Sequence, residues 1–110
     1  MNKTVKKSKV IAIIRKDANL RGTLFGIKKG DACVIGGLIN AAKLRDLYFS
    51  PKFNGSRQGS VTYMPIGFID LLYKKYGLNR GQLEKLQQIN DTVMNIRSRR
   101  RQLIAAVKAM

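Results

Sequence analysis

The first clear apolar run in the chain, Val10-Ile11-Ala12-Ile13-Ile14, is dense in β-branched side chains. A short run of that kind predicts a strand, although its length does not fix the period and a helix is the alternative. Lys16-Asp17-Ala18-Asn19 reads as a turn, and residues 20–27 partly alternate, as a second strand would. Lys28-Lys29-Gly30-Asp31 is a strong turn signal, and Ala32-Cys33-Val34-Ile35 reads as a third short strand. The three pieces together predict a small antiparallel β element.

The pattern then changes to a helical spacing. Residues 38–48 place Leu38, Ala41, Ala42, Arg45 and Tyr48 on one rough face, with Gly36-Gly37 loosening the entry. Residues 50–60 hold Pro51, Asn54-Gly55, Gly59 and three serines, which is loop chemistry. Val61-Thr62-Tyr63 reads as a short strand stopped by Pro65. Pro65 also suits the start of a helix over 66–76, and Gly77 its end. Asn79 with Gln82 three residues later matches a capping box, which begins a last helix at about residue 80. No proline interrupts that helix before the C-terminus. The expected fold class is therefore α+β: a small antiparallel β element, a helical pair at about 66–90, and a long basic C-terminal helix.

Charge alters this picture more than any other property. The 110 residues hold 22 Lys and Arg against 6 acids, a net charge of +16. Such self-repulsion is relieved by an anionic partner: nucleic acid, DNA or RNA, is the first expectation, ahead of an acidic membrane surface or an acidic protein. The charge is not that of a disordered chain, because 45% of the residues are apolar and a core is affordable. The length fits one domain, residues 10–110, preceded by a basic arm over residues 1–9 that carries Lys3, Lys6, Lys7 and Lys9 and no acid.

Four constellations carry the candidate chemistry. In the first, residues 68–86, Tyr76-Gly77-Leu78-Asn79-Arg80 followed by Leu83 and Leu86 resembles a helix-turn-helix: Gly turns the corner, Leu78 fills the angle and the two leucines face the first helix. The resemblance implies that Asn79, Arg80, Gln82 and Lys85 lie near the start of a recognition helix, where such groups bond bases or phosphates. Tyr73 stands where these motifs favour a small residue, and Gly81 interrupts the second helix. The second is the arginine cluster Arg97, Arg99, Arg100 and Arg101, whose planar forks suit phosphate oxygens. The third is a heptad pattern through Leu86, Ile89, Val93, Ile96, Leu103 and Val107, broken by Arg100, which predicts pairing of the last helix in a homo-oligomer. The fourth is the loop carrying Lys52, Phe53 and Arg57, with Tyr48, Phe49 and Tyr63 nearby, where aromatics interleaved with cations suit base stacking.

Enzymatic chemistry is not expected. Histidine is absent, and Asp17, Asp31, Asp46, Asp70, Glu84 and Asp91 are scattered along the chain without a spacing that implies a shared metal. The glycines form neither a P-loop nor a dinucleotide fingerprint, so no cofactor is implied. Cys33 is the single cysteine and reads as a small buried hydrophobe. No apolar stretch is long enough for a membrane span. The five-residue run after the basic arm is too short for a secretion signal, so a cytoplasmic location, or one inside a particle, is expected. The function these observations favour is a small basic non-enzymatic nucleic-acid-binding protein. The alternatives are a structural subunit of a viral particle or large complex, and an inhibitor that covers another protein's acidic or nucleic-acid-binding surface.

Overall fold

The computed structural model describes residues 4–28 and 30–110. Among them there are six α-helices, one 3₁₀ turn and no sheet: α1 Lys7–Lys16, α2 Val34–Ala41, α3 Arg45–Phe49, the 3₁₀ turn Val61–Tyr63, α4 Ile66–Tyr76, α5 Arg80–Thr92 and α6 Ile96–Lys108. The expected α+β class is therefore wrong, and each of its strands fails for a physical reason.

The β-branched run is the middle of α1. Val10, Ile13 and Ile14 are buried while Lys9, Ala12, Arg15 and Lys16 are exposed. That spacing is one helical face, and packing that face against α2 and α6 overrides the strand preference of Val and Ile. Asp17 ends the helix, and Ala18 follows with a left-handed φ of 67°. Residues 20–27 do not alternate in and out, because Leu24 and Phe25 are both buried. Gly22 and Gly30 turn the chain with positive φ, and the remnant of pairing is a single antiparallel bridge between Phe25 and Ala32.

Val34 and Ile35, expected in a third strand, begin α2. This helix is apolar nearly all round, with Val34 through Ile39 buried, and it occupies the centre of the molecule. The Cys33 thiol caps it, accepting from the Gly36 N–H at 3.4 Å. Gly36 and Gly37 are inside the helix rather than before it. They are small because the chain crosses them closely: a side chain at 36 would strike the Leu24 carbonyl, and one at 37 would come within 2.7 Å of the Asp17 side chain. The single helix expected over 38–48 is divided into α2 and α3 by a turn in which Lys43 has a φ of 59°.

α4 covers the span 66–76 read from the sequence. Gly77 closes it at a φ of 74°, with its N–H donating to the Tyr73 carbonyl oxygen. Asn79 and Gln82 form a reciprocal capping box at the start of α5. The long final helix, however, is two helices. Val93 is extended, and Asn95 caps α6 by accepting from the Ser98 N–H at 3.0 Å. The break lets Leu86 on α5 and Leu103 and Val107 on α6 enter the same core, all at 0% exposure. A straight helix would carry the last two out into water. α6 lies against α1 and α5, and a single hydrophobic cluster runs through the molecule, including Tyr76, Phe25, Phe68 and Leu38.

Candidate functional site

α1 and α6 pack antiparallel. At one end the Lys7 ammonium donates to the Lys108 carbonyl oxygen at 2.9 Å; at the other, Arg100 Nε donates to the Asp17 carbonyl oxygen at 3.0 Å. The two helices carry nine cations and no acid, since α1 reads KSKVIAIIRK and α6 IRSRRRQLIAAVK. Apolar residues of both helices turn inward, and most of the cations stay in solvent. Lys9, Arg15, Lys16, Arg97, Arg101 and Lys108 are exposed and Lys7 is half-buried. Ile104, half-buried, and Ala105 lie between Arg101 and Lys108 on α6.

Three lysines converge where α1 begins. The Lys6 N–H donates to the Tyr76 carbonyl oxygen at 2.9 Å, which brings the start of α1 to the end of α4. Lys6, Lys9 and Lys75 are thereby gathered, with the Lys9 ammonium 5.6 Å from the centre of the Tyr76 ring. Partial desolvation, then the like charges of Lys75 and Lys6, hold the Lys9 ammonium below the usual lysine pKa. An anion placed there relieves that repulsion.

The four clustered arginines separate into two kinds. Arg99 is buried, and its guanidinium donates to three carbonyl oxygens: Val93 at 2.8 Å, Ala18 at 2.7 Å and Met94 at 2.9 Å. Arg100 is half-buried on the carbonyls of Asp17 and Lys16. Those two hold the fold together. Arg97 and Arg101 face solvent and are available to a ligand.

The helix-turn-helix residues are largely occupied. Asn79 and Gln82 bond each other's backbone in the capping box. Arg80 donates to the carbonyl oxygens of Val61, Thr62 and Met64 at 2.7, 3.3 and 2.8 Å. Lys85 is exposed. Leu78, Leu83 and Leu86 fill the corner at 0% exposure, as the resemblance implies, but the polar groups at the helix start are engaged within the protein.

The remaining sequence candidates are spread over the surface. Lys3 lies outside the described residues, while residues 7–9 of the expected arm belong to α1. Lys52 is exposed, its ammonium 5.4 Å from the Phe53 ring centre. Arg57 is exposed, and its carbonyl oxygen accepts from the Leu24 and Phe25 N–H groups. Tyr48 is buried, its hydroxyl donating to the Ser56 carbonyl oxygen at 2.7 Å, and Arg45 lies over Phe25 and Phe49. Of the aromatic set near this loop, Tyr63 alone is almost fully in solvent. The heptad residues are placed within the chain itself: Leu86, Leu103 and Val107 in the core, with Ile89, Val93 and Ile96 half-buried.

Sequence reasoning did not single out the exposed Arg15, Lys16, Lys75 and Lys108. A helical reading of residues 7–16 would have placed Arg15 opposite the buried isoleucines and Lys16 on the flank beside Ile13. Lys75 and Lys108 needed the tertiary packing. Among the described residues no three His, Cys, Asp or Glu side chains converge on one point, and no helix is long and apolar enough to cross a membrane. An open polar groove of about 660 Å³ runs between the loop at 58–62 and α5, lined by Gln58, Ser60, Glu84, Gln87 and Asp91 among others. Two of its groups serve the fold: Gln87 Oε1 accepts from the Val61 N–H, and Asp91 Oδ1 from the Gly22 N–H. Comparison with family models, curated proteins and solved structures finds no significant match to the chain.

Proposed function

We propose that this chain is a small, non-enzymatic nucleic-acid-binding protein that holds phosphates on the outer face of α1 and α6. The observation that carries the reading is the acid-free pair of antiparallel helices, each with exposed cations, and the Lys6, Lys9 and Lys75 cluster where α1 begins. A set of cations on two helices that hold no carboxylate suits a repeating phosphate backbone and carries no hydrogen-bonding pattern that selects a sequence. With Asn79, Arg80 and Gln82 engaged internally, base-specific readout from the start of α5 is not part of this reading.

The test is binding of labelled duplex DNA, single-stranded DNA and RNA across a salt series. Binding is expected to survive about 150 mM salt, with log K falling linearly against log salt by about 0.7–0.9 per phosphate engaged. Changing Arg15, Arg97, Arg101 and Lys108 together to Ala should weaken binding and make that slope shallower by roughly 3–4. Binding that disappears equally for all three nucleic acids at that salt would sink the reading.

A second reading, a subunit of a larger assembly, is favoured by Ile27 and Met94, which are 89% and 74% exposed. Isolated exposed apolar side chains are common, so this reading needs symmetric oligomers in solution, visible as discrete masses without nucleic acid.

A further inference from the structure

Tyr63 is 87% exposed and Ile66 73%, with exposed Pro65 between them. The three stand together where the 3₁₀ turn meets α4, and the backbone beneath them is unusually well fixed. Ser60 Oγ accepts from the Thr62 N–H at 3.3 Å, and Gln87 Oε1 from the Val61 N–H at 3.0 Å. Arg80 gathers the carbonyl oxygens of Val61, Thr62 and Met64 on one guanidinium, while Val61 and Met64 are buried as anchors on either side. An aromatic ring in water is ordinary on a loose loop. Here it is held out from a turn tied down by three separate side chains.

Two cations lie on elements that adjoin this turn. Lys52 lies over Phe53, whose ring packs against Gly67 beside Ile66. Lys85 lines the groove that also contains Thr62. We propose that Tyr63, with Pro65 and Ile66 beside it, is a stacking platform for an unpaired nucleobase, and that Lys52 and Lys85 hold the phosphates flanking that base. The inference rests on the nucleic-acid reading above and gives it a form: single-stranded or locally opened nucleic acid.

The physical case has three parts. A ring on a fixed turn loses little conformational freedom when a base stacks on it, so most of the stacking energy appears as affinity. The faces of a base are accessible only when it is unpaired, and every base has such a face, so the contact tolerates any sequence. An occupant with a flat apolar face and a strong negative charge suits an exposed ring on a chain of net charge +16.

The test uses the full chain and a labelled oligothymidylate, with a duplex of equal length alongside. Tyr63→Ala should bind the single strand roughly 5- to 100-fold more weakly, the range expected for one stacked base. Its duplex affinity should stay within about twofold and its salt slope should not change, because no phosphate contact is removed. Tyr63→Phe should restore single-strand binding. The chain contains no tryptophan, so Tyr63→Trp supplies a single tryptophan, excited selectively over the tyrosines, whose emission stacking should quench. A thermal midpoint unchanged by Tyr63→Ala verifies folding.

Wild-type protein that binds oligothymidylate no better than Tyr63→Ala overturns the platform and leaves phosphate binding intact. Wild-type protein that binds no nucleic acid at about 150 mM salt overturns both, and is recognised from that arm alone. A Tyr63→Ala change that alters the mass of the free protein, with nucleic-acid affinity untouched, assigns the ring to a protein contact and overturns the platform.

Discussion

The guanidinium of Arg99 donates to the carbonyl oxygen of Ala18 at 2.7 Å, joining residues 81 positions apart. Ala18 is the residue at which the chain leaves α1 in a left-handed conformation, and Arg99 belongs to the first turns of α6. The same guanidinium takes the two carbonyls of the α5–α6 connection, Val93 and Met94. It therefore ties the end of α1 to the start of α6 without using a carboxylate. Neutral carbonyls satisfy its five donors in part, and burial together with the nearby charges of Arg21 and Arg100 holds its pKa below the usual arginine value.

Arg99→Ala should therefore destabilise the protein by about 3 kcal/mol, because it strands three buried or half-buried carbonyls that lose a charged donor. Arg97→Ala and Arg101→Ala should change stability by less than about 0.5 kcal/mol, since both side chains are exposed. Urea unfolding monitored by circular dichroism separates the two classes. Equal midpoints for Arg99→Ala and Arg101→Ala would contradict the division of the cluster into structural and available arginines.

Asn90 is buried at 0% exposure and does for α2 what Arg99 does for α6. Its Oδ1 accepts from the Val34 N–H at 3.0 Å, at the start of α2, and its Nδ2 donates to the Leu20 carbonyl oxygen at 2.8 Å. Asn90→Leu removes both partners at a site closed to water. A loss of about 2–4 kcal/mol is expected in the same urea experiment, from the two unpaired backbone groups. A loss below about 1 kcal/mol would mean that the loop over 19–33 repacks around the change.

Gly36→Ala should be among the most disruptive small substitutions in the chain. Its Cβ would run into the Leu24 carbonyl, and Leu24 is itself fully buried. Backbone has to move to admit it, so a cost of about 2–3 kcal/mol is expected in spite of alanine's better helix propensity. Gly81→Ala is the control. Its nearest non-helical neighbour would be Asn79 Oδ1 at 3.5 Å, an ordinary contact, and the substitution should stabilise α5 by up to about 1 kcal/mol. Thermal midpoints moving in opposite directions are the expected result.

Stability should fall with alkaline pH. Burial pushes the Cys33 thiol up from 9.0 to about 11, and burial, with a smaller effect of Asp17, pushes the Tyr76 hydroxyl up from 10.0 to about 12. Both groups release their protons more readily in the unfolded chain. The unfolded state then binds fewer protons than the folded state, and stability declines as pH rises from about 9 to 12. The Cys33→Ala variant should lose the part of that decline between 9 and 11. Cys33 should also react with a thiol reagent at neutral pH only as fast as the protein opens, because so little thiolate forms in the folded state. Rapid labelling in the absence of denaturant would contradict its burial.

The second half of the chain was the more legible one. Local punctuation there agrees with the fold: Pro65 before α4, Gly77 after it, and the Asn79–Gln82 box at the start of α5. Those signals act over three or four residues and need no distant partner. Asn95 is punctuation of the same kind, and it marks a helix break that the heptad spacing from Leu86 to Ile96 conceals. The first half misled because β-branched content favoured strands, whereas the burial of Val10, Ile13 and Ile14 follows a helical face that forms only when α2 and α6 are present to cover it.

By itself the sequence determined the charge of +16, the absence of histidine and the local start and stop signals of α4 and α5. Only the tertiary structure decided that Arg99 is a brace while Arg101 is available, since neighbouring arginines on a helix point in different directions and their fates depend on what lies opposite. It also decided that Lys6, Lys9 and Lys75 meet, because Lys6 bonds to the end of α4, some seventy residues on. Composition fixes how much positive charge the protein carries. The packing of α1 against α6 and α4 fixes where that charge is left exposed, because each helix must turn its apolar face inward.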